Sequence, residues 1–432
     1  MSIPYDNKAI ILDFEGGIEP DETNKILAPF LPEDSDAFLK RASNSREAGN
    51  TFEFVDHGTV FLYELGVAIV YPSLTQLERQ LEINVENPIN AKRKLLAGLG
   101  GVRNASLDQP TELCSSWTDS VSSTWGMQAT KVDLSPYDGA GVKIGIIDSG
   151  VDFQDADLTS NVVEKANFAF TPECRDHVPA VSQRNRARYN DLWDEVNHGT
   201  HVSSIISLTR GGETLRYSVA PAADIYIARG TGLSSYTLRA INWLASRNVD
   251  IINMSFRIDR NIISAETKQL FDSVGETLLN KNILPIPATG NDSSRNRIII
   301  DPATGQEIPG PIIAPIGYPA ASKNYMSVGA IDENENLSSY SNGLVDSYGE
   351  TVDIVAPGDN IHAAGTCDQI LPQSGTSMAC PHVSGVAALW CQKDPTLRGL
   401  ALKQKLMSEA KNLGGGDFGS GLVQAPAGGA NA

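Results

Sequence analysis

The chain is expected to fold as an α/β protein with a mostly parallel sheet and helices on both faces, plus a small α+β N-terminal domain. Two observations predict this. From Val142 onward, short apolar runs recur: VKIGIID (142–148), ADIYIA (223–228), VDIINMS (249–255), NILPIPA (282–288) and MSVGA (326–330). Each has the length of a strand and is apolar on both faces, as a strand between two layers requires. Helical stretches separate them. Tyr236–Ser246 sets Leu238, Ile241, Leu244 and Ala245 on one face, and 265–279 is a second such stretch. Strands alternating with helices are the pattern of a parallel sheet. Sites in such sheets lie beyond the carboxyl ends of the strands, where this chain carries its unusual polar residues.

Residues 1–97 read as the α+β domain. Lys8–Phe14 (KAIILDF) is strand-like, and Thr59–Tyr71 is rich in Val, Ile and aromatics and long enough for one or two strands. Ser73–Leu81 reads as a helix, with Ser73 as N-cap, Gln76 three residues on, and Leu74, Leu77 and Leu81 on one face. Residues 98–117 mix Gly, Asn, Ser, Asp and Pro and read as a linker. The main domain is expected over 118–426, with 427–432 as a flexible tail.

The 432 residues fit two domains when one is a long α/β unit, and 41% hydrophobic with 20% charged residues is a globular composition. Lys+Arg is 34 against 52 Asp+Glu, a net charge of −18 that repels phosphate backbones and anionic surfaces, so neither nucleic acid nor membrane is an expected partner. Apolar runs stay well short of the roughly 18 residues of a membrane span. Cys114, Cys174, Cys367, Cys380 and Cys391 are odd in number, widely spaced and without a CxxC pair, which fits reduced thiols better than a disulfide framework or zinc site. The start, MSIPYDNKAIILDFEGG, lacks a basic segment followed by a long apolar one. Together these features predict a cytoplasmic, intracellular location.

Four polar positions carry the chemistry. Asp148 ends a buried strand and precedes Ser149-Gly150; a strand-ending turn would use the same residues. In His198-Gly199-Thr200-His201, at the start of an apolar helix, one histidine suits a general base beside a strand-end carboxylate, the other a core position. The i, i+3 spacing lacks the partners of a zinc site. Ser377, within GTSMACPHVSG, opens another apolar helix, where it is either an N-cap or a nucleophile favoured by unpaired N–H groups and the positive end of the dipole. Asn291, after Ala288-Thr289-Gly290, is either a turn residue or an amide donor to a developing oxyanion.

Taken together, DSGVD, NHGTHV, ATGND and GTSMACPHVSG, in the order Asp, His, Asn, Ser, resemble the subtilisin-like serine proteases (subtilases, peptidase family S8). Thr124–Ala129 (TWGMQA), Ser218–Pro221 (SVAP), Gly317–Ala320 (GYPA) and Gly421–Ala425 (GLVQA) extend the resemblance over about Ser116 to Pro426. It implies a serine endopeptidase in which Ser377 attacks the scissile carbonyl, His198 moves the proton and Asp148 holds the imidazole. Asn291 and the Ser377 N–H would bind the oxyanion, and His201 and His382 would be structural. The resemblance further implies that an extended polypeptide substrate pairs with Gly232-Leu233-Ser234 and with Ser255-Phe256-Arg257. Ala288, Thr289 and Gly290 would wall the primary specificity pocket.

Three positions depart from the family. Arg257 stands where Gly is usual and would narrow the pocket rim or attract an acidic substrate residue. Asn197 replaces a common Gly. The stretch 297–317 (RIIIDPATGQEIPGPIIAPIG) is an insertion, read equally as a surface hairpin or a specificity loop. No cofactor is required. Calcium is the one optional ion: Asp157 matches a family ligand, but the expected partner loop, TRGGETLRY (209–217), lacks the usual Asn. The N-terminal domain resembles the family's inhibitory propeptide, to be cut off within the linker, and a permanent accessory domain is the other reading. Two rival functions are a catalytically silent peptide-binding scaffold and a nucleotide-binding α/β protein. The second lacks any GxGxxG or GxxxxGK[ST] after the relevant strands.

Overall fold

The computed structural model describes residues 124–152, 161–169, 192, 194, 196–208, 216–295, 312–344, 349–366 and 369–428, together with strands at 10–14, 53–56, 59–62, 67–70, 102–107, 112–113, 116–117, 299–300 and 307–308. Strands β1 (Ile10–Phe14), β2 (Glu53–Asp56), β3 (Thr59–Leu62), β4 (Val67–Val70) and β5 (Val102–Leu107) form an antiparallel sheet in the order β2-β3-β4-β1-β5. The run Thr59–Tyr71 therefore holds two strands. The helix expected over Ser73–Leu81 lies outside the described residues.

The linker reading of 98–117 is corrected. The segment carries β5, which pairs with β1 and so belongs to the N-terminal sheet. It then carries β6 (Glu112–Leu113) and β7 (Ser116–Trp117), each paired antiparallel with a strand of the main domain. Gly, Asn and Pro lower local strand propensity, but pairing with partners remote in the chain supplies backbone bonds that composition does not report.

The main domain runs α1 (Trp125–Ala129), β8 (Lys143–Asp148), β9 (Val162–Asn167), α2 (Gly199–Ile206), β10 (Asp224–Arg229), α3 (Ser234–Ser246), β11 (Ile251–Met254), β12 (Phe256–Arg257) and α4 (Ala265–Asn280). It continues with β13 (Leu284–Pro287), β14 (Ile299–Ile300), β15 (Glu307–Ile308), β16 (Val328–Ile331), β17 (Ile354–Pro357), β18 (Ile361–Ala364), β19 (Ile370–Ser374), α5 (Thr376–Lys393) and α6 (Gly399–Ser408). The central sheet is parallel, in the order β13-β11-β8-β10-β9, and a bridge between Ala288 and Val328 carries it on to the parallel pair β16-β17.

Both faces of this sheet are buried along β8, β10, β11 and β13, which is why these strands read as unbroken apolar runs, whereas the edge strand β9 (VVEKAN) is half-exposed. On one side Ile144 and Ile146 pack with Val202 and Ile205 of α2 and Val383 and Val386 of α5. On the other, Ile147 packs with Leu238, Ile241 and Leu244 of α3 and Phe271 of α4. Gly145 lets α3 approach closely, since a Cβ there would lie 2.7 Å from the Leu244 methyls. Helix α5 is buried from Thr376 through Cys391, so it is apolar on every side rather than amphipathic. Of the N-terminal sheet, β5 lies against α4, and β2 and β3 against α3.

Candidate active site

Strand β8 delivers Asp148 at its carboxyl end, and His198 caps the N-terminus of α2. Their side chains meet at 2.8 Å, Asp148 Oδ1 to His198 Nδ1, with each residue 1% exposed. Ser149 N also donates to Asp148 Oδ1, at 2.7 Å. This closeness depends on Gly199. A Cβ there would collide with the Gly150 carbonyl and lie 3.1 Å from Asp148 Oδ1. Asn197 has φ +60°, a left-handed conformation that Asn tolerates better than most side chains, so it can stand where Gly is common. Its Oδ1 accepts from Thr366 N at 2.7 Å, and its carbonyl accepts from Gln373 Nε2 at 2.9 Å.

Asp194, which the sequence analysis did not single out, is also part of this corner. Its Oδ2 accepts from Thr200 N (2.8 Å) and Thr200 Oγ1 (2.7 Å), and its Oδ1 from Ser149 Oγ (2.8 Å). It thus satisfies an otherwise open N–H at the start of α2 and ties that helix to the residue after Asp148. An acid four residues before the histidine was the available signal.

Ser377 is the second residue of α5, after Gly375 and Thr376. Its Oγ donates to the Ser255 carbonyl at 2.9 Å, and Ser255 Oγ donates back to the Ser377 carbonyl at 2.9 Å. The second bond has a covalent reason. In an α-helix the Ser377 carbonyl would accept from residue 381, but Pro381 has no N–H. Asn253 supports the arrangement: its Nδ2 donates to Ser255 Oγ (3.0 Å), and its Oδ1 accepts from Ser384 Oγ (2.9 Å). Helices α2 and α5 pack against each other.

Asn291 follows β13, and its Oδ1 accepts from Thr376 N and Thr376 Oγ1, each at 2.9 Å. Those bonds fix the amide, and its Nδ2 is buried with no partner among the described residues. Gly290 N donates to Thr376 Oγ1 at 3.2 Å, so the Ala288–Gly290 segment is attached to the helix that carries Ser377.

The subtilase-family profile matches residues 139–423. Subtilisin DY of Bacillus licheniformis is 32% identical over 307 residues, spanning 70% of this chain and 95% of that protein. Subtilisin E of Bacillus subtilis strain 168 is 31% identical over 307 residues, 70% of this chain and 69% of that one. The subtilisin of Bacillus pumilus is 30% identical over 307 residues, 70% of this chain and 95% of that one. The chain belongs to the subtilase family. As a subtilase it is a serine-type endopeptidase acting on polypeptides. The expected cytoplasmic location is overturned by these matches, because the subtilisins concerned are secreted, extracellular proteins. The residues at the start of the sequence and the cysteine pattern were weak grounds, since neither is a structural requirement of the fold. Among the described residues, no helix is long and apolar enough to cross a membrane.

The remaining sequence-marked residues of this subtilase divide by place. Gly232 (φ +111°) and the extended Leu233 turn the chain from β10 into α3, whose first residue is Ser234. Ser255, Phe256 and Arg257 lie at and beyond the end of β11, and Ala288, Thr289 and Gly290 beyond β13. Arg257 pairs with an acidic group of this chain. Its Nη2 pairs with Asp292 Oδ1 at 2.6 Å, and its side chain is 11% exposed. It lies between two glycines: a Cβ on Gly290 would come 2.6 Å from Arg257 Cδ, and one on Gly317 3.0 Å from the same atom. In the insertion, β14 and β15 pair antiparallel, as a hairpin does.

His201 Nε2 bonds to the Leu371 carbonyl (2.9 Å) and His382 Nδ1 to the Met378 carbonyl (2.7 Å). Burial pushes their pKa values down to about 3 and about 4 respectively, so both rings are neutral at pH 7. Asp157 lies outside the described residues. Among the described residues, no group of three or more carboxylate, His or Cys side chains gathers as a metal site.

Proposed function

We propose that Ser377, His198 and Asp148 cleave peptide bonds as nucleophile, general base and orienting carboxylate. The observation that carries this is the buried 2.8 Å pair of Asp148 and His198 beside the helix whose first turn carries Ser377. The Asp148 bond to Nδ1 leaves Nε2 as the basic nitrogen. Attack requires the Ser377 hydroxyl to turn from the Ser255 carbonyl towards Nε2, a change of χ1 between staggered wells. His198 then takes the proton, the tetrahedral oxyanion forms, and His198 returns the proton to the leaving amine. Asn291 Nδ2, with its acceptor side already tied to Thr376, is a preorganised donor for that oxyanion, together with the Ser377 N–H. This chemistry needs no cofactor.

The N-terminal domain, in this reading, restrains the enzyme until it is removed. Support comes from its sheet lying against α3 and α4, and from β6 pairing with β12, the segment expected to bind substrate. A fluorophosphonate probe tests the chemistry. It should label the wild type and not Ser377→Ala, and only the wild type should hydrolyse an unfolded protein substrate. Equal labelling of the two, or none in any form of the wild type, would remove Ser377 from the mechanism.

A further inference from the structure

Three segments are joined beside Ser377. One leaves β11 at Ser255 and runs through Arg257, the second leaves β13 and runs through Gly290 to Asn291, and Gly317-Tyr318 ties the two together. Gly317 N donates to the Thr289 carbonyl at 2.9 Å, and Ile258 and Tyr318 exchange both backbone bonds, at 2.6 and 3.2 Å. The Arg257 side chain lies between these segments. A Cβ on Gly290 would come 2.6 Å from Arg257 Cδ, and one on Gly317 2.9 Å from Arg257 Cβ and 3.0 Å from Cδ. The far end of the side chain is anchored. Its Nη2 donates to Asp292 Oδ1 at 2.6 Å, Asn342 Nδ2 donates to Asp292 Oδ2 at 2.8 Å, and Asp292 N donates to Asn342 Oδ1 at 2.7 Å. Asn342 is 1% exposed, so the carboxylate that holds the guanidinium is itself fixed from the interior.

We propose that Arg257, anchored by Asp292, fills the room for the side chain of the residue whose carbonyl is attacked, so that this protease cuts after Gly, Ala and Ser and rejects Leu and the aromatics. The place of that side chain follows from the reacting atoms. The attacked carbon must come within bonding reach of Ser377 Oγ, which the Ser255 carbonyl holds at 2.9 Å, with its oxygen towards the buried Asn291 Nδ2. The α-carbon is one bond away, about 1.5 Å. Its side chain therefore starts against the segment that leaves Ser255 and the segment that enters Asn291. Arg257 belongs to the first and lies against Gly290 of the second. The inference rests on the proposed roles of Ser377 and Asn291.

Size, and not charge, is what Arg257 contributes. Its guanidinium is matched by Asp292, and Asp259 Oδ1 lies 4.0 Å from Nη1, so a substrate carboxylate would meet a cation that already has its counter-charge. The methylene stem stands where a long or aromatic substrate side chain would have to enter. One methylene too many in a closely fitting pocket costs about 10–200-fold in kcat/KM, and glycine at 257 would empty the space.

The test digests an unfolded protein with the purified full-length chain and reads the residue on the acyl side of every cut by mass spectrometry. In parallel, kcat/KM is measured on two tetrapeptide p-nitroanilides that differ only in an acyl-side Ala or Phe; their ratio does not depend on the fraction of active chains. Fluorophosphonate labelling shows which variants have a formed active site. The wild type should cut after Gly, Ala and Ser and favour the Ala peptide about tenfold or more. Arg257→Gly should add cuts after Phe, Tyr and Leu and shift the ratio towards Phe about tenfold or more. Asp292→Ala keeps the arginine without its anchor and should shift the ratio part of the way; a wild-type ratio there overturns the anchoring role. A wild type that labels and cuts as readily after Phe, Leu or Glu as after Ala overturns the proposal whether or not the variants fold, and leaves the protease reading intact. So does a labelled Arg257→Gly with the wild-type ratio. A wild type that neither labels nor cuts brings down both.

Discussion

Ser255 gives the Ser377 carbonyl the hydrogen bond that Pro381 cannot give. The proline frees an acceptor at the start of α5, and a side chain from the end of β11 occupies it, so the helix that carries Ser377 is fastened to the sheet. Ser255→Ala should leave that carbonyl buried and unpaired, at a cost of about 1–3 kcal/mol. Adding Pro381→Ala restores a helical N–H to the same carbonyl and should recover part of the loss. Urea unfolding of the two single variants and the double variant checks this, and additive effects would count against it.

Asn291→Leu removes the Nδ2 donor while keeping the side chain's approximate size. The expected result is a fall in kcat of about 10²–10³, the loss found in subtilisin for its oxyanion-hole asparagine, with little change in KM. Steady-state kinetics on a peptide ester measure both. A rise in KM at constant kcat would instead assign Asn291 to ground-state binding.

Gly199→Ala places a methyl group against the Gly150 carbonyl and beside Asp148 Oδ1. Relief requires α2 to move away from β8, which separates His198 from Asp148. Overpacking of this kind costs about 1–3 kcal/mol in stability, and kcat should fall further than stability alone explains. Thermal unfolding measured beside fluorophosphonate labelling rate separates the two effects.

His201 and His382 set a pH dependence whose sign is fixed by burial. Their folded pKa values, about 3 and about 4, lie below the unfolded value of about 6.5. Below pH 6.5 the unfolded chain therefore binds more protons than the folded one. Their contribution is complete above that pH and is lost as pH falls towards the folded values, by about 1.4 kcal/mol per pH unit for each ring. Urea midpoints should decline from pH 6.5 to 4, and less steeply in His382→Gln. A flat profile would mean that the rings are solvated in the native state.

The sheet and the four polar residues were legible because their signals are local. VKIGIID and VDIINMS are apolar on both faces for one reason, burial between helix layers, and β8 and β11 fall within them. The motifs around Asp148, His198, Asn291 and Ser377 combine small residues with one polar group, and Gly199 has a steric reason to be small. Asp194 showed in the sequence only as an acid four residues before His198. The reciprocal bonds of Ser255 were not legible, because they depend on which residues tertiary contacts bring together. The strands in 98–117 escaped notice for the same reason. Arg257 was recognised as unusual, but its pairing with Asp292 and its place between two glycines are set by tertiary contacts that the sequence does not report.

Helix α5 is buried from its first residue through Cys391. The segment that presents Ser377 is therefore also the centre of the hydrophobic interior, and no partial opening of the main domain can spare one and lose the other. Enzymatic activity in this protein should then report global unfolding directly. On heating, inactivation and loss of tertiary structure should coincide, and a chain that has lost its fold should retain no fraction of its turnover.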